Sequence, residues 1–359
     1  MAMIQVGLLY AMLATLSTQE LRDVYGFVKL DMPWVLVELV IHAMIARRAM
    51  DFEVPQDLRC VEFFAGSDRS SQIAKAFTEL GFAALAFDLL RSETHDLTST
   101  NGLIASVVVL LSMTCGGVCH LGTVCTSFNF MNSGTHRRSI AFPMGWQHFP
   151  YMELGNVLAA RSAVLALLAW AMGAFPVLEQ PLRSVMTALP SWQSVVAYFD
   201  EAECSGWIGQ RLKLNHVNMA AFNAATLKPT ALYSTESFDP LMNMNVPPKH
   251  KRPKPQAPTT YQYEDARGRK KVAGGSGLKQ TQLYTPEFGR ALASWWASHG
   301  PTSTGRERRR WCLLQSSNVS LDTMKEHIAT YSTLQHFNFD EGHLVEALQE
   351  LRNAWRGNY

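Results

Sequence analysis

Gly66, Asp88, Cys125 and Glu179 are the residues of this chain whose types and spacing could act together on a bound molecule. The run Val61-Glu62-Phe63-Phe64-Ala65-Gly66-Ser67-Asp68-Arg69-Ser70-Ser71 reads as a short apolar strand that enters a glycine turn and opens a helix. A second apolar stretch then ends in Asp88. A glycine in such a turn lets the backbone approach a ligand. An acid at the end of the next strand suits the ribose hydroxyls of a nucleotide-like molecule. Farther on, Gly122-Thr123-Val124-Cys125-Thr126-Ser127-Phe128 carries a thiol at a strand end, and Val177-Leu178-Glu179-Gln180-Pro181 carries a carboxylate at another. A thiol is a nucleophile where the local field favours its thiolate. A glutamate between an apolar strand and a proline needs a partner if it is buried. The same residue types also fit a tight turn, a solvated strand end and an inert buried cysteine.

These residues need a scaffold that brings strand ends together. Strands are expected at 60–64, 83–87, 118–124 and 175–179, and helices at 71–80, 102–112, 154–173 and 190–199. Short apolar strands that alternate with helices indicate an α/β fold, a parallel sheet covered on both faces. Ligands of such sheets bind at the carboxyl ends of the strands. Antiparallel strands are expected within 207–218 and at 230–234, and a helix at 286–298. Ser17-Thr18-Gln19-Glu20 fits a capping box, and Leu21, Val24, Tyr25 and Val28 form one apolar face behind it. Helices are also expected near 34–50, 321–331 and 341–355. The expected organisation is a helical segment 1–55, an α/β domain 56–299, and a linker with helices at 300–359.

The chain has 359 residues and a net charge of only +2, but the charge is unevenly placed. Residues 1–248 carry 15 Lys and Arg against 20 Asp and Glu, whereas 249–271 carry eight against two. Attraction for nucleic acid is therefore concentrated at Lys249–Lys271, inside a Pro-, Lys- and Gly-rich stretch, 240–277, expected to be a mobile loop. Tyr261 and Tyr263 there could stack on bases, and a charged linker is an equally good description. Asn129, Arg137 and Arg138 could line a substrate or phosphate path, or form a solvated loop. The run Arg306–Arg310 resembles a nuclear import signal. The six scattered cysteines indicate free thiols in a reducing compartment, cytoplasm or nucleus. No metal site is expected. Residues 162–178 are uncharged, and a buried helix over the sheet explains them without a membrane.

With these landmarks in order, residues 60–290 resemble the cytosine carbon-5 DNA methyltransferases and their degenerate relatives. Phe64-Ala65-Gly66 is similar to the family's first motif, which holds S-adenosylmethionine. By the same resemblance Asp88 is the acid on the cofactor ribose and Asp96 the acid near its adenine. Cys125 falls at the nucleophile, with Val124 where the family has proline, and Glu179 at the glutamate that binds the base. Lys228-Pro229-Thr230 is similar to a segment of the degenerate relatives. The implied chemistry is addition of the Cys125 thiolate to carbon 6 of a cytosine turned out of its duplex, followed by methyl transfer to carbon 5. Asp68 stands where a second glycine is usual, with Arg69 beside it to offset the charge.

The resemblance implies a Rossmann-like methyltransferase sheet with helical additions at both ends. Three functions remain open at this level: methylation of a cytosine-like base, a scaffold or nucleic-acid-binding remnant without turnover, and methylation of another acceptor. An enzyme needs Gly66, Asp88, Cys125 and Glu179 around an open space. A scaffold is expected to fill that space with side chains such as Phe64, Asp68 or Phe128.

Overall fold

The computed structural model describes residues 2–29, 34–48, 54–55, 57–68, 70–129, 136–146, 148–204, 211–254, 257–264, 266–275, 277–299 and 319–335. Arg69, the run 306–310 and the helix expected at 341–355 lie outside them.

Three helices come first: α1 (Ala2–Thr15), α2 (Thr18–Lys29) and α3 (Trp34–Ala46). The capping box at α2 forms reciprocally. The Glu20 N–H donates to Ser17 Oγ at 3.3 Å, and the Ser17 N–H donates to Glu20 Oε2 at 2.8 Å. The α/β part then runs β1 (Leu58–Phe63), α4 (Gln72–Glu79), β2 (Ala84–Phe87), α5 (Thr100–Leu111), β3 (Met113–Leu121), α6 (Pro150–Ala171), β4 (Phe175–Pro181), α7 (Pro190–Cys204), β5 (Lys213–Asn218) and β6 (Pro229–Ser234). After it come β7 (Thr260–Glu264), β8 (Lys270–Gly274), α8 (Pro286–His299) and α9 (Leu321–Gln335).

The six-stranded sheet has the order β2-β1-β3-β4-β6-β5. β2, β1, β3 and β4 are mutually parallel, and β6 runs antiparallel to both β4 and β5. The fold is therefore α/β, with a mixed sheet flanked by helices in a Rossmann-like arrangement. From β1 the chain steps outward to β2, then crosses back over β1 to β3. That reversal makes a topological switch point between β1 and β3, and ligands of open α/β sheets bind beyond the strand carboxyl ends at such points.

The two-residue period of the strands sorts their side chains between two cores. Val61, Phe63, Cys119, Leu121 and Leu178 join a cluster with α2, α3, α5, α6, α7 and α9. Cys60, Val118, Phe175 and Val177 join a second cluster with α4 and α8. Glu62, His120 and Glu179 alternate with the first set, so all three point to the α4–α8 face.

α6 is long and apolar enough to cross a membrane, and its most apolar stretch is largely buried inside the protein. Its Arg161 is buried and donates from Nη1 to Leu97 O at 2.7 Å and Ser99 O at 2.8 Å, fixing the entry to α5. Helices α2 and α9 meet through Tyr25 and His327, 3.2 Å apart at their polar atoms. The stretch 240–277, expected as a loop, contains the β7–β8 hairpin. A turn at 266–268 lets Thr-Tyr-Gln-Tyr-Glu pair with Lys-Lys-Val-Ala-Gly, a pairing that the charge and proline content obscured.

Candidate functional site

The glycine turn and Asp88 do meet. The Gly66 N–H donates to Asp88 Oδ2 at 2.8 Å, and the Leu90 N–H donates to Asp88 Oδ1 at 2.8 Å. The Ala65 N–H reaches Phe87 O at 3.4 Å, tying the ends of β1 and β2. The turn is tight: Phe64 has φ +60° and Gly66 has φ +67°. A phenylalanine in that left-handed region is strained, and such residues persist where their surroundings hold them.

Arg91 is the residue that sequence reading missed here. Its Nε donates to Gly66 O at 3.0 Å, and its Nη2 donates to Ser71 Oγ at 2.7 Å. Its Nη1 pairs with Asp68 at 2.7 Å. Asp68 is thus answered by Arg91, which lies beyond β2, where only the folded sheet brings it across the turn.

At the foot of α4, Ser71 makes no side-chain cap. Glu62 takes that place from within β1, with Oε2 accepting the Ala74 N–H at 2.8 Å. Burial pushes the Glu62 carboxyl up to about 8, against the lowering effect of the Ala74 and Ile73 backbone N–H groups and of the Arg91 and Lys75 charges. The usual anion position at this helix start is therefore filled by the protein's own carboxyl group.

Asp96 is engaged by its own loop. Its Oδ1 accepts from the Thr98 N–H at 2.8 Å and from Thr98 Oγ1 at 2.6 Å, a local turn that leads into α5. His95, next to it, stacks on Phe87 with ring centroids 4.1 Å apart.

A second group gathers at the ends of β3 and β4. Glu179 is buried; Lys228 Nζ lies 3.4 Å from its Oε1, and Tyr284 Oη donates to its Oε2 at 3.1 Å. Lys228 Nζ also stands 5.4 Å from the centre of the Tyr284 ring. Cys125 is partly buried beside them. Burial and the Glu179 carboxylate push its thiol up to about 11, and Lys228 pulls the other way. The resting site therefore holds a thiol. Gln180 anchors the cysteine loop, donating from Nε2 to Thr123 O at 2.7 Å while its Oε1 accepts from Ser184 Oγ.

His120 completes this face. It is paired in register with Glu62 across β1 and β3 and is fully buried. Among the described residues, neither of its ring nitrogens has a hydrogen-bond partner, and neither does Glu62 Oε1. Burial, with Lys228 nearby, lowers His120 to about 3, so it is neutral.

Two of the three side chains expected to fill the space of a dead site, Asp68 and Phe128, are engaged elsewhere. Asp68 turns onto Arg91. Phe128 is fully buried beneath the Arg138 guanidinium, which lies 4.1 Å from its ring centre. Arg138 is no phosphate path: it donates to Ser127 Oγ, Met152 O, Asn156 Oδ1 and Pro143 O from a buried position. Arg137 is exposed and lies 5.0 Å from the centre of the Trp146 ring. Asn129 forms a bridge with Ser184. The ring that does stand among Glu179, His120 and Gly122 is Tyr284, which no motif pointed to.

Phe64, Ala65, Gly66 and Asp88 thus form one constellation, Cys125, Glu179 and Lys228 a second, and both sit at the carboxyl ends of the parallel strands. No protein-family model, no curated protein and no solved structure matches this chain.

Proposed function

We propose that the chain is an S-adenosylmethionine-binding protein of methyltransferase type, with Gly66 and Asp88 at the cofactor and Cys125 and Glu179 at a base-like acceptor. The observation that carries this reading is Glu62 at the start of α4. A dinucleotide in a Rossmann-type crevice sets its pyrophosphate on that helix start. Here the Glu62 carboxyl occupies that position, which favours a nucleoside without phosphate over a phosphorylated one. S-adenosylmethionine is such a nucleoside, and the motif order supports it over other phosphate-free ligands.

Calorimetry tests the cofactor. S-adenosylmethionine and S-adenosylhomocysteine are expected to bind, ATP and NADH are not, and Asp88→Asn is expected to weaken binding at least about tenfold, or 1.4 kcal/mol. Asparagine keeps one acceptor oxygen for the Gly66 N–H and gives up the exposed bond from the Leu90 N–H, so thermal unfolding of the variant is measured alongside. Absence of binding by both sulfur ligands would sink the proposal.

A scaffold without turnover is the second reading. It is favoured by the Cys125 thiol at about 11 and by a Glu179 whose two oxygens already face Lys228 and Tyr284.

The proposed partner is nucleic acid along Lys249–Lys271. The β7–β8 hairpin supports this: Tyr261 and Tyr263 are 54% and 46% exposed on one face of β7, with ring centroids 6.2 Å apart. Replacing both with alanine is expected to cost roughly 1–3 kcal/mol per stacked base in single-strand binding. Fluorescence anisotropy with a labelled oligonucleotide measures it. An unchanged affinity removes the hairpin from the interface.

A further inference from the structure

Tyr284 reaches the ends of β3 and β4 from the segment just ahead of α8, 105 residues from Glu179 along the chain. Its surroundings are specific. The Glu179 carboxylate accepts its hydroxyl at 3.1 Å. The Lys228 ammonium lies 5.4 Å from its ring centre. His120 meets it edge-on, with centroids 5.2 Å apart at 90°, and Phe288 packs at 5.3 Å. Gly122 leaves the room: a Cβ there would lie 2.9 Å from Tyr284 Oη. Tyr284 as a whole residue is only partly buried.

The fit is incomplete in one respect. Both His120 nitrogens are buried beside this ring without hydrogen-bond partners among the described residues. Unsatisfied buried polar atoms are costly and call for an explanation. A phenol has a single polar atom, already engaged by Glu179. A heterocycle with several nitrogen or oxygen atoms on its edge could serve Glu179 and His120 together.

We propose that Tyr284 is a self-ligand occupying a pocket for a planar heterocycle with a donor edge, bounded by Gly122, His120, Glu179 and Lys228, and that it swings out before such a ring can reach Cys125. This rests on the base-like acceptor proposed above. Burial, with the Glu179 carboxylate, holds the phenol well above its usual value, which keeps it a donor to Glu179.

The test is the rate at which iodoacetamide alkylates Cys125 in the full chain, followed peptide by peptide to separate the other cysteines. Tyr284→Ala is expected to react about tenfold faster or more near pH 8, and Tyr284→Phe, which keeps the ring and loses the bond to Glu179, to fall between. Gly122→Ala, which crowds the hydroxyl and keeps the ring, is expected to act in the same direction and serves if Tyr284→Ala does not fold. Added 2′-deoxycytidine is expected to slow alkylation of Tyr284→Ala. An unchanged rate in a folded Tyr284→Ala overturns the self-ligand, whatever the cofactor calorimetry gives. A faster rate that 2′-deoxycytidine does not slow overturns the heterocycle pocket, and with it the base-like acceptor, while leaving cofactor binding as measured.

Discussion

Glu62→Gln is expected to hold its stability through about pH 9, where the unaltered chain weakens. The Glu62 carboxyl moves from an ordinary 4.5 to about 8 on folding. The folded state therefore binds a proton that the unfolded state has released between those values. Stability from this group is complete below about 4.5, falls as pH rises, and levels off above about 8. At about 1.4 kcal/mol per pKa unit, the full loss is on the order of 5 kcal/mol. Glutamine keeps an oxygen for the Ala74 N–H and carries no charge, so the loss should vanish.

His120 contributes with the opposite sign. Lowered from 6.5 to about 3, it is neutral in the fold, and its contribution is present above about 6.5 and lost as pH falls towards 3. The two slopes oppose one another between about 4.5 and 6.5, so the pair sets a stability maximum there. Urea unfolding midpoints across pH measure this. Parallel curves for Glu62→Gln and the unaltered chain would refute the assignment.

Gly66→Ala is expected to cost about 2 kcal/mol or more and to abolish cofactor binding. Gly66 has φ +67°, and an added Cβ would stand 2.3 Å from Ser70 Oγ. That oxygen cannot simply rotate away, because it donates to Ala65 O at 2.9 Å and contacts Ser67 O at 2.8 Å. Adding Ser70→Ala removes the clashing atom and should recover part of the loss, leaving the left-handed strain of about 1–2 kcal/mol. Chemical denaturation of the unaltered chain and the two variants separates the two contributions. A Gly66→Ala chain of unaltered stability would show that the turn is not held as described.

The parts of the site that were legible in the sequence are those written within one strand and its turn. Gly66 and Asp88 follow from a strand-turn-helix-strand order that local pattern records, and Glu179 from its place between an apolar strand and a proline. What pattern does not record is which strands become neighbours and in what register. The Glu62–His120 pairing, Arg91 across the turn and Tyr284 against Glu179 all depend on that. Burial inverts chemical character too. Arg138 reads as a free cation in sequence, yet it folds inward against Phe128 because five-donor guanidinium groups can satisfy several carbonyls at once. The β7–β8 hairpin was hidden because β7 carries an exposed, polar pattern in place of an apolar alternation.

The junction of α2 with α9 has a consequence for how the chain is made. Tyr25 and His327 are 302 residues apart, and the cluster around them also covers one face of the sheet. On a ribosome that emits about 5–20 residues each second, α2 would wait tens of seconds for its partner. During that interval Leu21, Val24 and Tyr25 have nothing from α9 to cover them. So distant a closing contact makes for slow assembly, and the apolar face of α2 is where a holding chaperone would find its first purchase on the nascent polypeptide.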